Sequence, residues 1–158
     1  MLLKENDKAP DIVLLNQDGK MVQLKDFIGQ WVLVYFYPKD DTPGCTKEAC
    51  TIQGNWSQFN KLDLIVLGIS PDSVASHKEF VDKYQLKFDL LADVHKEVVQ
   101  AYGVWGKKKF MGNEYMGVSR MSFLIDPEGK IAKVYEKVKP EEHAAEVLAD
   151  LVVLSVGK

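Results

Sequence analysis

Cys45 and Cys50 are the residues of this chain whose type and spacing offer the clearest chemistry. They are its only cysteines and stand five positions apart in a chain of 158 residues. In a secreted protein such a pair is often a structural disulfide, whereas cytosolic thiols stay reduced unless they serve redox chemistry or bind a metal. Free cysteines can also be inert core residues. The choice among these uses decides the function.

A metal site is the alternative chemistry for the two thiols. Structural zinc is usually held by four cysteine and histidine ligands. The chain has no second pair of cysteines, and its three histidines, His77, His95 and His143, are scattered along the sequence. We therefore expect no metal and interpret the histidines as solvated helix residues.

A helix that begins near Cys45 accounts for the residues that follow it. At about 100° per residue, four apolar side chains fall within about 40° of Cys45: Ala49, Ile52, Trp56 and Phe59. On the same helix, Cys50 lies about 140° away from Cys45. The sequence therefore predicts that Cys45 shares the buried face of the helix and that Cys50 does not.

The position of Cys45 at a helix start favours its thiolate form. Unpaired N–H groups and a partial positive charge at a helix N-terminus stabilise an anion. This effect supplies about 0.3–1 kcal/mol, and up to about 2 kcal/mol when partly buried. Bringing an ordinary thiol from a pKa of about 8.5 to near 6 requires about 3.4 kcal/mol. A cation and a hydroxyl donor are therefore needed, and the candidates are the single arginine, Arg120, and Thr42.

The same geometry constrains a bond between the two thiols. Residues five apart in an intact helix have Cα atoms about 8.7 Å apart, whereas a disulfide requires less than about 7 Å. A resting disulfide would contradict the helix. A transient one requires the first turns of the helix to unwind.

The segment around Cys45 resembles the active site of a known family. The string Pro-Lys-Asp-Asp-Thr-Pro-Gly-Cys at residues 38–45 fits the peroxiredoxin motif P-x-x-x-T/S-x-x-C. Its extension to Cys50, Thr-Pro-Gly-Cys-Thr-Lys-Glu-Ala-Cys, is similar to the bacterioferritin comigratory protein, or peroxiredoxin Q, subgroup. The resemblance continues in residues 7–11, 122–126 and 129–130.

This resemblance implies a thioredoxin-like fold and a thiol peroxidase. Cys45 would be the peroxidatic cysteine, attacking H2O2 or a small organic hydroperoxide, and Cys50 would resolve the sulfenic acid as an intramolecular disulfide. The remaining residues of the implied peroxide site are Pro38, Thr42, Arg120 and Glu48, with Glu48 orienting the arginine.

The resemblance also implies partners and cofactors. The expected reductant is thioredoxin or a similar dithiol protein, no haem, flavin or metal is required, and the enzyme would be a monomer or weak dimer. The alternative function is a non-enzymatic binding protein that the same disulfide regulates. A thioredoxin-type reductase is less favoured because residues 45–50 are not C-x-x-C.

Strands and helices alternate around this segment. Apolar runs predict an N-terminal hairpin (residues 12–15 and 21–24), buried strands (31–37, 64–69 and 121–125) and a hairpin partner (131–138). Helices are predicted from Ser73 to about Tyr84, over residues 94–102, and from Pro140. The pattern predicts an α/β domain with a central mixed sheet, an N-terminal β-hairpin and flanking helices.

Composition and charge exclude several other classes of protein. With 46% hydrophobic and 27% charged residues, the chain is neither disordered nor collagen-like. The net charge is −3, and the one basic run, Lys107 to Lys109, is interpreted as a solvated loop. No apolar stretch approaches the roughly 18 residues of a membrane span, and charges interrupt residues 1–15. We expect a single cytoplasmic domain, residues 1–158, that binds neither nucleic acid nor membrane.

Overall fold

A mixed β-sheet forms the centre of the computed structural model, which describes residues 3–156. The strands are β1 (Val13–Leu15), β2 (Met21–Gln23), β3 (Val32–Phe36), β4 (Ile65–Ser70), β5 (Asp89–Ala92), β6 (Trp105–Phe110), β7 (Asn113–Val118), β8 (Ser122–Ile125) and β9 (Ile131–Tyr135). The helices are α1 (Pro43–Gly54), α2 (Trp56–Lys61), α3 (Val74–Tyr84), α4 (Glu97–Ala101) and α5 (His143–Val156). A short 3-10 helix covers Leu24–Phe27.

Seven strands pair in the order β2-β1-β5-β4-β3-β8-β9. The three central strands β3, β4 and β5 are parallel, and the pairs on either side of them are antiparallel. All five residues of β3 are buried, as expected for a strand covered on both faces. The predicted central mixed sheet with an N-terminal hairpin is confirmed.

Alternate side chains of β3 enter two different cores. Leu33 and Tyr35 join one that contains residues of α1, α2, α3 and α5. Val32 and Val34 join the other, which contains residues of α4 and of the N-terminal hairpin. The loop that follows β3 leads into α1, which belongs to the first of these cores and carries Cys45.

The structure differs from the predicted elements in five places. The helix predicted from near Cys45 to Phe59 is interrupted at Asn55, so Trp56 and Phe59 lie on α2. Strand β5 and the hairpin β6–β7 were not predicted, and the lysine run lies on β6 instead of in a loop. The predicted helix over residues 94–102 covers only α4, because the Asp93 carboxylate accepts from the backbone N–H groups at its start. Helix α5 begins three residues after Pro140. By contrast, Ser73 caps α3 as predicted, accepting from the Ser76 N–H at 3.1 Å.

The interpretation of the histidines as solvated helix residues is wrong for two of them. The side chains of His77 and His143 are 0% exposed, and each ring makes hydrogen bonds on both nitrogens. Only His95 is exposed, and it lies in a turn. Buried imidazoles are tolerated where such partners replace water.

Gly68 on β4 packs closely against side chains of both neighbouring strands. A Cβ at this position would lie 2.7 Å from Cζ of Tyr35 on β3 and 2.8 Å from Cδ2 of Leu90 on β5. Both side chains are fully buried. A larger residue on β4 would therefore displace two neighbouring strands.

We predict that Gly68→Ala lowers the free energy of unfolding by about 1–3 kcal/mol through overpacking, measured by urea denaturation. Gly54→Ala is the matched control, because a Cβ there meets nothing within 4 Å and the position is helical. The control should keep stability or raise it by up to about 1 kcal/mol. Equal effects of the two substitutions would contradict the packing argument.

Candidate active site

Cys45 lies in the first turn of α1. The helix begins at Pro43, with Thr42 in the extended N-cap conformation and its carbonyl accepting from the Thr46 N–H at 2.8 Å. Proline at the first helical position needs no hydrogen-bond partner for its nitrogen, so the segment is well suited to start a helix. The helix starts two residues before Cys45, and Cys45 is 2% exposed on its buried face.

Arg120 joins Cys45 to Glu48. Its Nη2 donates to Cys45 Sγ at 3.2 Å and its Nη1 donates to Glu48 Oε1 at 2.9 Å. Arg120 occupies the short connection between β7 and β8, so the contact brings the second half of the sheet to the start of α1. The predicted cation for Cys45 is thus in contact with its sulfur.

Glu48 is a buried carboxylate with one of its two oxygens engaged. Its side chain is 1% exposed, and Oε2 makes no hydrogen bond within the described part of the chain. Burial raises the pKa of Glu48 to about 7, against the lowering effect of the charge and hydrogen bond of Arg120. Burial alone would lower the pKa of Arg120, but Cys45 and Glu48 together raise it above its usual value. The arginine therefore remains charged while Glu48 titrates near neutrality.

Gly44 permits the approach of the guanidinium. A Cβ at this position would lie 3.0 Å from Arg120 Nη2, which is tighter than ordinary van der Waals contact. The short family motif leaves this position open, and the contact with Arg120 gives the physical reason for a glycine here. Glycine here keeps the path between Arg120 and the helix start clear.

Thr42 and Pro38 are near Cys45 in sequence but make other contacts. The Thr42 hydroxyl donates to the Lys39 carbonyl at 2.9 Å, so its proton is not available to the Cys45 sulfur in this conformation. The expectation that Thr42 donates to the thiolate is therefore corrected. Pro38 is exposed and directly follows the residue after β3.

The two cysteines point in different directions, as the helix geometry predicted. Both are free thiols, with Cys45 buried and Cys50 exposed. Partial burial nevertheless raises the pKa of the Cys50 thiol, which keeps it protonated at neutral pH. The structure therefore represents the dithiol state, in which α1 is intact.

A second hydrogen-bonded group supports the strand that follows Arg120. The buried Ser122 hydroxyl lies 2.7 Å from His143 Nε2, and His143 Nδ1 lies 3.0 Å from Glu146 Oε1. Burial lowers the pKa of His143, although Glu146 acts to raise it. A neutral ring donates from Nδ1 to the carboxylate and accepts at Nε2 from the serine. The order Ser–His–carboxylate resembles a hydrolase triad, but Ser122 is 0% exposed, so the group links β8 to α5 and does not face a substrate.

Residues 6–134 match the AhpC/TSA family. The chain belongs to this family. It is 44% identical over 155 residues to peroxiredoxin Bcp of Bacillus subtilis, covering 98% of this chain and 99% of that one. It is 48% identical over 146 residues to peroxiredoxin Bcp of Escherichia coli K12, covering 92% and 94%. The chain is accordingly a peroxiredoxin of the bacterioferritin comigratory protein group.

Solved structures agree with this assignment. The bacterioferritin comigratory protein of Xanthomonas campestris, studied for its alkyl peroxide reduction activity, superposes with a TM-score of 0.88 at 35% identity, covering 97% of this chain and 98% of that one. Peroxidoxin BcpB of Mycobacterium tuberculosis superposes with a TM-score of 0.84 at 31% identity, covering 96% and 97%. The fold is thioredoxin-like, and the protein is a thiol peroxidase that uses peroxide and a thiol reductant. Among the described residues, no helix is long and apolar enough to cross a bilayer.

We predict that Glu48→Gln changes how stability depends on pH. The folded protein holds the Glu48 proton up to a pKa of about 7, whereas the unfolded chain releases it near 4.3. This contribution to stability is complete below about pH 4 and is lost as pH rises through about 7.

The stability of the unmodified protein relative to Glu48→Gln should therefore fall by about 3 kcal/mol from about pH 4 to about pH 8, measured by urea denaturation at each pH. A difference that stays flat would mean that the attraction of Arg120 cancels the effect of burial, and one that increases with pH would mean that it outweighs burial.

Proposed function

We propose that Cys45 is the peroxidatic thiol of this peroxiredoxin and that Arg120 is its electrostatic partner. The observation that carries the proposal is the 3.2 Å contact between Arg120 Nη2 and Cys45 Sγ. It combines a buried helix start with a guanidinium that Glu48 holds in place. Both features favour the thiolate, which is the nucleophilic form of cysteine.

In the first step, the Cys45 thiolate attacks the terminal oxygen of H2O2 or a small organic hydroperoxide. The S–O bond forms as the O–O bond breaks, and the leaving oxygen takes a proton to give water or an alcohol. Arg120 and the backbone N–H groups near Cys45 stabilise the negative charge that develops on the breaking bond. The Thr42 hydroxyl, with its proton directed to Lys39, can accept a hydrogen bond from the peroxide, and Pro38 bounds the site.

In the second step, Cys50 attacks the sulfur of the Cys45 sulfenic acid. The S–S bond forms and the hydroxyl of the sulfenic acid leaves as water. Because Cys45 is buried and Cys50 is exposed on another side of α1, the helix must unwind locally before the two sulfurs meet. If this opening is slow, a second peroxide oxidises Cys45 further to the sulfinic acid.

The third step is reduction of the disulfide by thioredoxin or a similar dithiol protein. A thiolate of the reductant attacks one sulfur, and exchange returns both cysteines to thiols.

This cycle fits a cytoplasmic enzyme in a reducing compartment. It also fits a single domain, residues 1–158, that acts as a monomer or weak dimer, since both cysteines of the cycle lie on one helix. A full-length resemblance to peroxiredoxins favours turnover over a redox-regulated binding protein.

Arg120→Lys should reduce kcat/KM for peroxide by about tenfold or more, although the charge is kept. A planar guanidinium contacts Cys45 and Glu48 at the same time, whereas an ammonium group cannot reproduce this fork. Lys47→Arg is the matched control, because Lys47 lies on the exposed side of α1, and it should leave kcat/KM unchanged. An unchanged kcat/KM in Arg120→Lys would remove Arg120 from the peroxide step.

Cys45→Ser and Cys50→Ser should fail at different steps. Cys45→Ser should consume no peroxide in the presence of a thioredoxin system. Cys50→Ser should reduce the first equivalent and then accumulate sulfinic acid, detected by mass spectrometry of the intact chain. If Cys50→Ser keeps cycling with thioredoxin at the rate of the unmodified protein, Cys50 is not the resolving cysteine.

A further inference from the structure

A buried polar cluster lies at the start of the loop that leads to Cys45. The Asp40 carboxylate accepts from Tyr37 Oη at 2.6 Å and from Ser76 Oγ at 2.8 Å, and it lies 2.7 Å from His77 Nδ1. The side chain of Asp40 is 4% exposed and that of His77 is 0% exposed. The peroxide chemistry described above uses none of these groups.

The two ring nitrogens of His77 both face acceptors. Nε2 lies 3.0 Å from the Leu91 carbonyl oxygen, which can only accept, so Nε2 carries a proton. Nδ1 lies 2.7 Å from Asp40 Oδ2 and 3.4 Å from Tyr37 Oη. Removing one partner of such a buried hydrogen bond leaves the other unsatisfied, which is destabilising. His77 thus connects the loop, through α3, to strand β5.

The backbone of Asp40 is held by separate contacts. Its N–H donates to Asp72 Oδ2 at 2.8 Å, and the same oxygen accepts from Ser70 Oγ at 2.6 Å. Ser70 is the last residue of β4. Both the side chain and the main chain of Asp40 are therefore attached to elements outside α1.

The contacts of the next residue, Asp41, are exposed, unlike the buried contacts of the Asp40 carboxylate. Asp41 is exposed and has a positive φ of 55°, a left-handed conformation that few non-glycine residues adopt. Its carboxylate accepts from Lys83 Nζ at 2.7 Å and from Tyr84 Oη at 3.0 Å, both at the surface of α3. Exposed ion pairs of this kind contribute little to stability.

The other end of α1 is attached in a similarly exposed way. Gln53 donates from Nε2 to the Gln85 carbonyl at 2.6 Å and accepts from the Lys87 N–H at 3.0 Å. Between these two ends lie both cysteines. Residues 41 and 53 are therefore held to α3 and the loop after it by exposed contacts that water can replace, whereas the Asp40 carboxylate is held by buried contacts with Tyr37 and His77.

We propose that the Asp40–His77 pair is the fixed boundary of the segment that unwinds when Cys45 and Cys50 join. Asp41 is the first residue to move, and the opening is confined to residues 41–54. The pair keeps residues 37–40 in place, so that Thr42 and Cys45 return to the peroxide-binding arrangement after each reduction. His77 is thus a positioning residue for both steps. This inference rests on the proposed disulfide cycle.

Two substitutions of His77 separate its two hydrogen bonds. The amide nitrogen of asparagine reaches the position of Nδ1, so His77→Asn retains a donor towards Asp40 and loses the one towards Leu91. The amide nitrogen of glutamine reaches the position of Nε2, so His77→Gln retains the donor towards Leu91 and loses the one towards Asp40. If His77 served overall stability alone, the effect of each variant would follow its loss of unfolding free energy and not which hydrogen bond is lost.

The measurements are hydrogen exchange of the dithiol and disulfide forms, and the separate rates of the peroxide and disulfide-forming steps. In the unmodified protein and in His77→Asn, disulfide formation should raise exchange over residues 41–54 and leave residues 32–40 protected. In His77→Gln, the increase should extend into residues 37–40, and the peroxide step should slow by about tenfold because Cys45 is less well positioned.

Lys83→Met is the control for the moving side of the boundary, because it removes the exposed ion pair with Asp41 and, besides that, a surface contact with the Tyr84 ring. It should speed disulfide formation and leave the peroxide step unchanged.

If His77→Gln does not fold, Ser76→Ala decides the question, since it removes one of the three groups on the Asp40 carboxylate. A peroxide step that slows by about threefold in Ser76→Ala supports the proposal, and an unchanged rate contradicts it.

The outcomes distinguish this inference from the proposed function. If the unmodified protein forms the disulfide and opens over residues 41–54, but His77→Gln and His77→Asn behave alike, the boundary role of the pair is wrong and the cycle stands. If the unmodified protein forms no disulfide between Cys45 and Cys50, the proposed cycle and the boundary both fail.

Discussion

The contact of one guanidinium with both a sulfur and a carboxylate determines how the rest of this site is built. Arg120 is the only arginine of the chain, and it joins two residues of α1 to the connection between β7 and β8. A partly buried cation requires anionic partners to offset its lost hydration. Its two partners are Glu48 Oε1 and Cys45 Sγ. The position of Cys45 and the proposed stabilisation of its thiolate therefore depend on the same contact.

The proposed disulfide between Cys45 and Cys50 would disrupt this arrangement. Cys45 and Glu48 lie on the buried side of α1, while Cys50 is exposed. Joining the two sulfurs takes Cys45 away from Arg120 and leaves a buried carboxylate and a guanidinium to pair with each other alone. The dithiol state is thus favoured by burial and charge, and the disulfide state by a covalent bond. Helix α1 must therefore be stable enough to hold Cys45 in position for peroxide and weak enough to open when the disulfide forms.

Local patterns in the sequence predict the part of the site that depends on neighbouring residues. The apolar residues at helical spacing after Cys45 correctly place it on the buried face of α1, and the buried run of β3 is correct to within one residue at each end. The need for a cation at Cys45 leads to Arg120 because the chain offers no other arginine. The family resemblance adds Glu48, whose Oε1 accepts from Arg120 Nη1 at 2.9 Å.

Contacts between distant residues are what the sequence does not reveal. His77 and His143 look like surface residues of helices because their partners, Asp40 and Ser122, are 37 and 21 positions away. Strand β5 has only four residues, and its own sequence gives little indication of a strand. Its extended conformation depends on pairing with β4 and β1. The Thr42 hydroxyl donates to a backbone carbonyl of its own loop, a choice that depends on loop geometry and not on residue type.

Nitrogen-15 NMR of the Arg120 side chain tests the central contact most directly, because a chain with one arginine gives one guanidinium to observe. In the reduced protein, the account predicts separate signals for the Nη1 and Nη2 protons, since hydrogen bonds to Glu48 and Cys45 stop the group from rotating freely. One equivalent of H2O2 should shift the Nη2 signals and leave those of Nη1 on Glu48. A single averaged signal in the reduced protein, unaffected by peroxide, would contradict the account.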